Sequence, residues 1–328
     1  MVLEELCHPQ APWVAQMSTC PSSRWQDDVA SLLTASRMTY LSVGANKGYG
    51  LSEFIQRFTT GRVDNQQWHA LLERHECAAE CCGICKPCRS RPVPLSVRAP
   101  ADAVELHAFE VQPATAAMLR KVLADALVLA NTSAHGGTAI NASVHEVAVS
   151  NASGVLWTSR NVRSGKENFG ASFAPSRRSI QRRAVALDDW LDAQPAAARR
   201  VQLLSVDTEG FDGLVLRGAA RAISTRSIDV IEFEYIRAWH GSLRDTLQWL
   251  DGHGYTCYWV GNHGNGGVLA QASGGCWRDC FVKPRGRWSN LVCTHRADIR
   301  TIFQRDVRRK VRHQPGARQR VCAAAPKS

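Results

Sequence analysis

The segment at residues 203–212 constrains the fold most, because its apolar run ends abruptly in two carboxylates, Asp207 and Glu209. A buried parallel strand delivers charged side chains in this way to the carboxyl edge of an α/β sheet, where ligands bind. Upstream, residues 40–50 read as a strand, a glycine-rich turn and a helix, and residues 104–110 read as a strand that ends in an acid. A glycine turn followed by two acidic strand ends predicts a nucleoside-binding α/β domain.

The motifs in these three segments resemble those of the FkbM-type methyltransferases, which use S-adenosylmethionine. In that family the first strand reads roughly D-x-G-A-N-x-G, the second ends A-F-E-P-x-P and the fourth ends D-x-E-G-x-E. This chain has S-V-G-A-N-K-G at residues 42–48, A-F-E-V-Q-P at residues 108–113 and D-T-E-G-F-D at residues 207–212. It departs from the family pattern at Ser42, where the family has an acid, and at Val111, where the family has a proline.

The resemblance implies a fold class and a domain organisation. The expected fold is α/β, a Rossmann-like class I methyltransferase fold with a mostly parallel seven-stranded sheet and helices on both faces. We expect an N-terminal lead-in at residues 1–37, the methyltransferase domain at 38–284 and a basic tail at 285–328. A Cys-rich insertion at residues 61–102 separates the first two strands of the domain.

Three further segments carry predictions of their own. Residues 144–150 are predicted to form the third strand, and residues 255–260 and 280–283 to form the closing pair of the sheet. Residues 151–184 are polar and contain one short strand-like run. Because so long a structureless connection is uncommon in a compact domain, this segment is expected to be a lid or a loop that faces the acceptor.

The glycine turn is the first predicted contact with the cofactor. The resemblance implies that Gly44, Asn46 and Gly48 bind the methionine end of S-adenosylmethionine, with Ser42 in the place of the usual acid. Glycines let a ligand approach the backbone closely, and the N-terminus of the following helix favours a carboxylate. A phosphate loop would continue Gly-Lys-Ser/Thr, whereas Tyr49 follows Gly48 here, which argues against a Walker-type nucleotide site.

Acidic residues at the next strand ends supply the other predicted cofactor contacts. Glu110 can accept hydrogen bonds from both ribose hydroxyls, a feature that NAD-binding folds share. The resemblance implies that Glu146 lies near the adenine and that Asp207 faces the sulfonium. An NAD-dependent oxidoreductase is a third interpretation of the chain, but it does not explain the D-T-E-G sequence at residues 207–210.

Catalysis of methyl transfer to a hydroxyl requires alignment and removal of a proton. Asp207, Glu209 and His240 are the candidate bases, because close carboxylates raise the pKa of one member towards neutral pH. Glu209 has a second interpretation as the cap of the helix that follows it. Acceptor contacts are expected from the polar segment, from Glu234 and Tyr235, and from the residues around Trp239.

Five cysteines fall close together in the insertion, and their ligand is left open. Four of them suit a structural zinc site with tetrahedral thiolate ligation. Disulfides are equally compatible, with Cys257, Cys276, Cys280 and Cys293 as partners. Iron–sulfur spacings are incomplete, because Pro87 and Pro92 stand where an aromatic residue or a ligand is needed. The clustered cysteines are Cys77, Cys81, Cys82, Cys85 and Cys88.

The formal charge of +11 is concentrated in the C-terminal tail. Aromatic residues that would stack on bases are nearly absent there, so a solvated basic tail is favoured over a nucleic-acid-binding arm. No apolar window of about eighteen residues occurs, which predicts no membrane-spanning helix. No secretory signal is readable, which favours the cytoplasm by default. Three glycosylation sequons would instead fit a luminal protein whose N-terminus was truncated. The compartment therefore stays open.

These observations support two principal interpretations of function. The first is an S-adenosylmethionine-dependent methyltransferase, for which the resemblance implies a hydroxyl on a small-molecule, sugar or lipid-linked acceptor. The second is a catalytically idle Rossmann-like domain that binds a partner through its basic tail and Cys-rich insertion. Neither the identity of the acceptor nor the oligomeric state is indicated by the sequence.

Overall fold

A computed structural model describes residues 20–61, 63–77, 99–132, 137–160, 163–165, 171–172, 174–236, 238–262, 269–277 and 288–312. The strands are β1 (Arg37–Val43), β2 (Ala103–Phe109), β3 (Ala139–His145), β4 (Ala148–Ser150), β5 (Gly154–Ser159), β6 (Ala171–Ser172), β7 (Ser179–Ala186), β8 (Val201–Val206), β9 (Ile228–Tyr235), β10 (Thr256–Val260), β11 (Leu269–Gln271) and β12 (Ser289–Thr294). The helices are α1 (Arg24–Leu33), α2 (Tyr49–Phe58), α3 (Asn65–Arg74), α4 (Pro113–Thr132), α5 (Leu187–Asp192), α6 (Asp212–Arg217), α7 (Ala220–Ser224), α8 (Leu243–Gly252) and α9 (Ala297–Arg312).

The main sheet has the strand order β11-β10-β12-β9-β8-β1-β2-β3. Its five consecutive strands from β9 to β3 are parallel, and β1 lies between β2 and β8. Ser42 on β1 is in register with Ala108 on β2 and with Ser205 on β8. The carboxyl ends of the three strands that carry the sequence motifs therefore meet at one edge of the sheet.

The prediction of a seven-stranded, mostly parallel sheet was wrong in its details. The described sheet has eight strands and is mixed, because β12 pairs antiparallel with both β9 and β10, and β11 adds a further antiparallel edge strand. The predicted partner of the closing pair, residues 280–283, lies outside the described residues. β12 also extends the sheet beyond residue 284, where we predicted that the domain ends.

The predicted third strand at residues 144–150 spans two different strands. The third strand of the main sheet is β3, which ends at His145, and β4 then begins at Ala148 in a second sheet. β3 is an edge strand with mostly half-buried or exposed residues, so it lacks a strong apolar pattern. The more apolar run that follows it belongs to β4, which is fully buried.

A second, four-stranded sheet has the order β4-β7-β5-β6. β5 and β7 pair antiparallel, and β4 pairs parallel with β7. Ala148, Leu156 and Ala184 form its small core, against which Val111 packs. The segment at residues 151–184, predicted to be a lid or an acceptor-facing loop, therefore contributes three strands of this sheet.

Helices cover both faces of the main sheet, as the sequence predicted. Side chains of α1, α2, α3, α4 and α9 form one buried cluster, and those of α5, α6, α7 and α8 form the other. β1 serves both clusters because its side chains alternate, with Tyr40 on one face and Leu41 on the other. α1 lies in the predicted lead-in, yet its Trp25, Val29 and Leu33 are buried in the first cluster.

A disulfide joins Cys257 on β10 to Cys293 on β12, which are opposite each other in the sheet. Cys20 and Cys276 are also disulfide-bonded. Cys257 and Cys293 thus pair with each other, whereas the disulfide alternative had made them partners of the insertion cysteines. None of the described helices combines the length and the apolar composition that crossing a membrane would require.

Candidate active site

A cavity of about 480 Å³ opens at the carboxyl edge of the main sheet. Its walls come from the glycine turn after β1, from the ends of β2, β8 and β9, and from the second sheet. Glu110, Asp207 and Glu209 line it together with Gly44, Asn46 and Gly48. The structure thus brings most of the sequence-predicted site residues around one cavity.

The glycine turn is held against both neighbouring strand ends. The backbone N–H groups of Gly44 and Ala45 both donate to the carbonyl oxygen of Phe109, at 3.0 Å each. Gly44 has φ +75°, and a Cβ atom built on it would lie 1.8 Å from the carbonyl oxygen of Asp207. A side chain at position 44 would therefore push β8 away from β1, which explains the glycine.

Asn46 connects the glycine turn to the end of β2. Its backbone N–H donates to Oε2 of Glu110 at 3.1 Å, and its φ of 43° is in the left-handed region that asparagine tolerates. The side-chain oxygen Oδ1 is buried and has no hydrogen-bond partner among the described residues. A buried acceptor of this kind is expected to receive a hydrogen bond from a ligand in the cavity.

Glu110 is 3% exposed and belongs to both the turn and the cavity. Its Oε1 accepts the backbone N–H of Gln112 at 2.8 Å, and Oε2 accepts that of Asn46. Burial raises the pKa of the Glu110 carboxyl to about 7, although these backbone hydrogen bonds oppose the shift. Each carboxylate oxygen keeps a second acceptor position, so two hydroxyl groups of a ligand can still bind.

The second sheet forms an apolar wall opposite the glycine turn. Ala148 and Val149 of β4 and Leu156 of β5 line the cavity beside Phe109. Thr158, two residues further along β5, also lines it and is 1% exposed. Its hydroxyl has no hydrogen-bond partner among the described residues, so this apolar wall carries one polar group available to a ligand.

The two carboxylates of the motif after β8, Asp207 and Glu209, lie in the turn that follows the strand. β8 ends at Val206, and Glu209 has φ 56° in the turn that follows, so the turn, and not the alternation of a strand, positions the two acids. Both nevertheless line the cavity. Glu209 is not a helix cap, because α6 has Phe211 at its N-cap and no side-chain cap hydrogen bond.

Asp212 holds the turn after β8 in place through hydrogen bonds. Its buried Oδ2 accepts hydrogen bonds from the hydroxyl of Thr208 at 2.9 Å and from the backbone N–H groups of Thr208 and Gly210 at 3.4 and 3.3 Å. Its Oδ1 accepts the backbone N–H of Glu234 at 3.2 Å. Burial raises the pKa of Asp212 to about 7. One side chain thus ties the end of β9 to the turn that carries Asp207 and Glu209.

Glu234 lies at the end of β9 and lines the cavity. Burial and the neighbouring charges of Asp207, Asp212 and Glu209 raise its pKa far above the usual range, and its side chain is hydrogen-bonded to Asp207. Two carboxyl groups this close disfavour each other's ionised form, so the neighbouring Asp207 adds to the rise in the pKa of Glu234. The expected pairing of close carboxylates therefore involves Glu234 as well as the motif residues.

Three predicted site residues do not line the cavity. Ser42 is buried on β1, where Tyr40 forms a side-chain hydrogen bond with it. Glu146 is half-exposed and pairs with Arg120 at 3.3 Å, because β3 ends before it and the chain turns towards β4. His240 is exposed, with its ring centroid 4.1 Å from that of Phe211. Glu146 and His240 thus lie outside the lining of this cavity, and His240 packs against the lining residue Phe211.

The predicted metal site falls mainly outside the described residues. Cys81, Cys82, Cys85 and Cys88 are not described, so their zinc or disulfide alternatives stay predictions. Cys77 lies at the end of the described part of the insertion, and its Sγ is 2.9 Å from the position that a Cβ on Gly165 would take. Within the described residues no group of three or more potential ligands is arranged to hold a metal ion.

Sequence reasoning missed several residues of the cavity. Lys47 is 4% exposed and lines it from the glycine turn, where the motif gave no reason to single it out. Glu232 also lines the cavity, and it accepts a hydrogen bond from Asn290 at 3.1 Å. Further lining residues come from segments without a motif: Pro21, Ser23, Gln26, Glu53, Thr158 and Trp288. Only the repeated carboxylates at the end of β9 offered a signal in the sequence.

Comparison with known proteins identifies one matching family. The methyltransferase FkbM domain matches residues 82–257, which is more than half of the chain. A solved structure of methyltransferase FkbM from Methylobacillus flagellatus KT is similar at 13% identity, with a TM-score of 0.41. That similarity covers 79% of this chain and 44% of the other, so the chain spans less than half of the length of that protein. No curated protein matches the chain.

The fold and the site define an α/β domain with a ligand cavity at the carboxyl edge of its parallel strands. The chain belongs to the FkbM methyltransferase family. The family match begins after the glycine turn, so the place of Gly44, Asn46 and Gly48 in the cavity is shown by strand pairing and lining rather than by the match.

Proposed function

We propose that this chain is an S-adenosylmethionine-dependent methyltransferase that methylates a hydroxyl oxygen on a small-molecule, sugar or lipid-linked acceptor. The observation that carries the proposal is the contact between Asn46 and Glu110, which joins the glycine turn and the acidic end of β2 around one cavity. These two groups are the ones that the cofactor's methionine end and ribose need.

The donors and acceptors of the cavity fit S-adenosylmethionine. The orphaned Oδ1 of Asn46 is a suitable acceptor for an amino group, and the remaining acceptor positions of Glu110 suit two ribose hydroxyls. Phe109, Val149 and Leu156 provide the apolar surface that an adenine ring requires, with the hydroxyl of Thr158 beside them. The carboxylates that line the cavity favour a ligand with a positive charge.

The chain's own residues have three tasks in the proposed reaction. S-adenosylmethionine, when bound, supplies an electrophilic methyl group on a sulfonium. Gly44, Asn46 and Glu110 hold and orient that ligand, and the apolar wall from the second sheet excludes water. Asp207 or Glu209 aligns the acceptor hydroxyl and accepts its proton.

The alternative is a catalytically idle binding module, and Ser42 in place of the family's acid is the departure that would favour it. Ser42 does not line the cavity, so this departure removes no polar group from the lining. Nucleic acid remains an unfavoured partner, because carboxylates predominate over cations among the described lining residues.

Calorimetric titration with S-adenosylhomocysteine, the product form of the cofactor, tests the proposal, with NAD as the control ligand. We expect binding of S-adenosylhomocysteine in the micromolar range and no binding of NAD. Methyl transfer is then followed with isotopically labelled cofactor and a panel of hydroxylated acceptors. A folded protein that binds neither ligand would contradict the proposal and favour the binding-module interpretation.

A further inference from the structure

The acceptor side of the cavity is marked by carboxylates at the ends of β8 and β9. Glu209 follows β8, whereas Glu232 and Glu234 lie on β9 with side chains on the same face, because they are two residues apart on a strand. Asn290 of β12 donates to Oε1 of Glu232 at 3.1 Å. In the main sheet β8 lies between β9 and β1, and β1 leads into the glycine turn that is proposed to hold the cofactor.

Glu234 carries the clearest sign of a missing ligand. Its side chain is 8% exposed, its Oε2 has no hydrogen-bond partner among the described residues, and it lines the cavity. The rest of the residue is fixed, since its backbone N–H donates to Asp212 and its side chain is hydrogen-bonded to Asp207. A buried acceptor without a partner is unfavourable, so a ligand at this position is expected to bring a donor.

The charges around Glu234 determine which kind of donor fits best. Asp207, Asp212 and Glu209 all act on Glu234 with negative charge and raise its pKa. A neutral hydroxyl would satisfy Oε2 but would leave this repulsion in place. A protonated amine satisfies the oxygen and also offsets the repulsion, because a hydrogen bond between two charged groups is the stronger kind.

An anionic group or a metal ion fits the position beside Glu234 less well than an amine. Among the described lining residues Lys47 is the one cation, and its side chain packs next to Gly165, with Cε 3.3 Å from the position of a Cβ on that glycine. An anionic acceptor group would therefore meet several carboxylates and a single lysine among the described lining residues. A metal ion is not favoured, because the described residues contain no group arranged to hold one.

We propose that the acceptor carries a protonated amino group, which binds Glu234 beside Glu232 while the hydroxyl to be methylated faces Asp207 and Glu209. The substrate class is thus a hydroxylated amine, such as an amino sugar or an amino alcohol. This inference rests on the proposed function and narrows its acceptor.

Three matched probes test the amine without knowledge of the natural acceptor. They are 2-aminocyclohexanol, cyclohexane-1,2-diol and 2-hydroxycyclohexanecarboxylate, which share a ring and a hydroxyl but carry positive, zero and negative charge at neutral pH. Each is titrated into the full chain loaded with S-adenosylhomocysteine. We expect the amine to bind about tenfold more tightly than the diol, as a charge-assisted hydrogen bond predicts, and the carboxylate to bind least.

Substitutions of Glu234 and Glu232 show whether the preference for the amine arises at this site. Glu234→Gln keeps the shape and removes the charge, so we expect the preference for the amine over the diol to fall to about threefold or less while S-adenosylhomocysteine binds as before. Glu232→Gln is a second, less buried variant, in which a smaller loss is expected. Glu73→Gln removes an exposed carboxylate from α3 and serves as the matched control, with the preference unchanged.

A proton count gives an independent readout. A cation beside Glu234 opposes the repulsion from Asp207, Asp212 and Glu209, so binding of the amine should release a proton from Glu234 to the buffer. Titrations in buffers with different ionisation enthalpies measure this release. It should be present in the wild-type chain and absent in Glu234→Gln.

Some outcomes would overturn the inference. Tighter or equal binding of the diol or the carboxylate would do so, as would failure of the amine to bind a chain that binds S-adenosylhomocysteine. An unchanged preference in both Glu234→Gln and Glu232→Gln would place the amine elsewhere and reject this site. Failure of S-adenosylhomocysteine itself to bind would reject the proposed function, and titration of the unloaded chain would then test the amine site separately.

Discussion

The carbonyl oxygen of Asp207 occupies the space that a side chain at Gly44 would need. The distance from a Cβ built at position 44 to this oxygen is 1.8 Å, well inside van der Waals contact. The backbone of Asp207 is also bound to β1, since its N–H donates to the carbonyl oxygen of Val43 at 2.9 Å. The glycine turn after β1 and the motif after β8 therefore hold each other in place, and the cavity is formed where they meet.

Gly44→Ala should damage both stability and cofactor binding. The clash is with backbone rather than with a flexible side chain, and alanine is also strained at φ +75°, so we expect a loss of at least about 2 kcal/mol in the free energy of unfolding. Urea unfolding measures the stability, and titration with S-adenosylhomocysteine measures the binding.

Gly252→Ala provides the matched control for that variant. Gly252 ends α8 and has no atom within 4 Å of its Cβ position, so alanine should leave stability unchanged or increase it by up to about 1 kcal/mol. If Gly44→Ala behaved like Gly252→Ala in both measurements, the close approach of the turn to β8 would be refuted.

The residues that sequence reasoning placed in the cavity share a local signal. Gly44, Glu110 and Asp207 each stand where an apolar strand ends, and parallel pairing of β1 with β2 and β8 brings those ends together regardless of what lies between them. The long insertion between the first two strands does not disturb this pairing. The central part of the site could be predicted because it depends on strand ends and strand order alone.

Glu110→Ala should weaken S-adenosylhomocysteine binding by about 2–3 kcal/mol, since hydrogen bonds to a charged group are lost from a buried site. Glu146→Ala should change the affinity by less than about twofold, because Glu146 pairs with Arg120 outside the cavity. Calorimetry on both variants measures the difference. Equal effects in the two variants would contradict the assignment of the ribose contact to Glu110.

The affinity for S-adenosylhomocysteine should fall as the pH is lowered through about 7, the pKa to which burial raises Glu110. The ionised carboxylate accepts two hydroxyl groups, whereas protonation turns one acceptor position into a donor. The ligand thus favours the ionised form, and affinity should decrease by at most about tenfold per pH unit below the pKa and level off above it.

Titrations at several pH values between 5.5 and 8.5 test this dependence. Asp212 has its pKa raised to about 7 as well, so the wild-type profile alone does not identify the group. Glu110→Ala should give a flat profile. The same slope in this variant and in the wild-type chain would assign the effect to another carboxyl.

The parts of the site that the sequence did not predict depend on tertiary packing. Leu156 and Thr158 reach the cavity only because β5 pairs with β7 in the second sheet, and the polar sequence around them resembles a loop. Glu146 was expected at the adenine because the third strand was placed several residues too late. An acid at a strand end does not reveal which way it faces, as Glu146 outside the lining and Glu234 within it show.

Asp212→Asn should destabilise the chain by about 1–3 kcal/mol, even though the new side chain has the same shape. Both oxygens of Asp212 accept hydrogen bonds from N–H or O–H donors, so in either orientation the amide NH₂ group would face a donor and leave it without an acceptor. The loosened turn should also weaken acceptor binding, because it carries Asp207 and Glu209.

Urea unfolding of Asp212→Asn and of Asp251→Asn measures the effect, with the second variant as the control. Asp251 is an exposed residue of α8, and its substitution should change the free energy of unfolding by less than about 0.5 kcal/mol. A hydrogen-bonded acceptor role predicts a clear difference between the two variants. If Asp212→Asn were as stable as the control, the carboxyl of Asp212 would not be the group that holds the turn to β9. The position of Asp207 and Glu209 would then need another explanation.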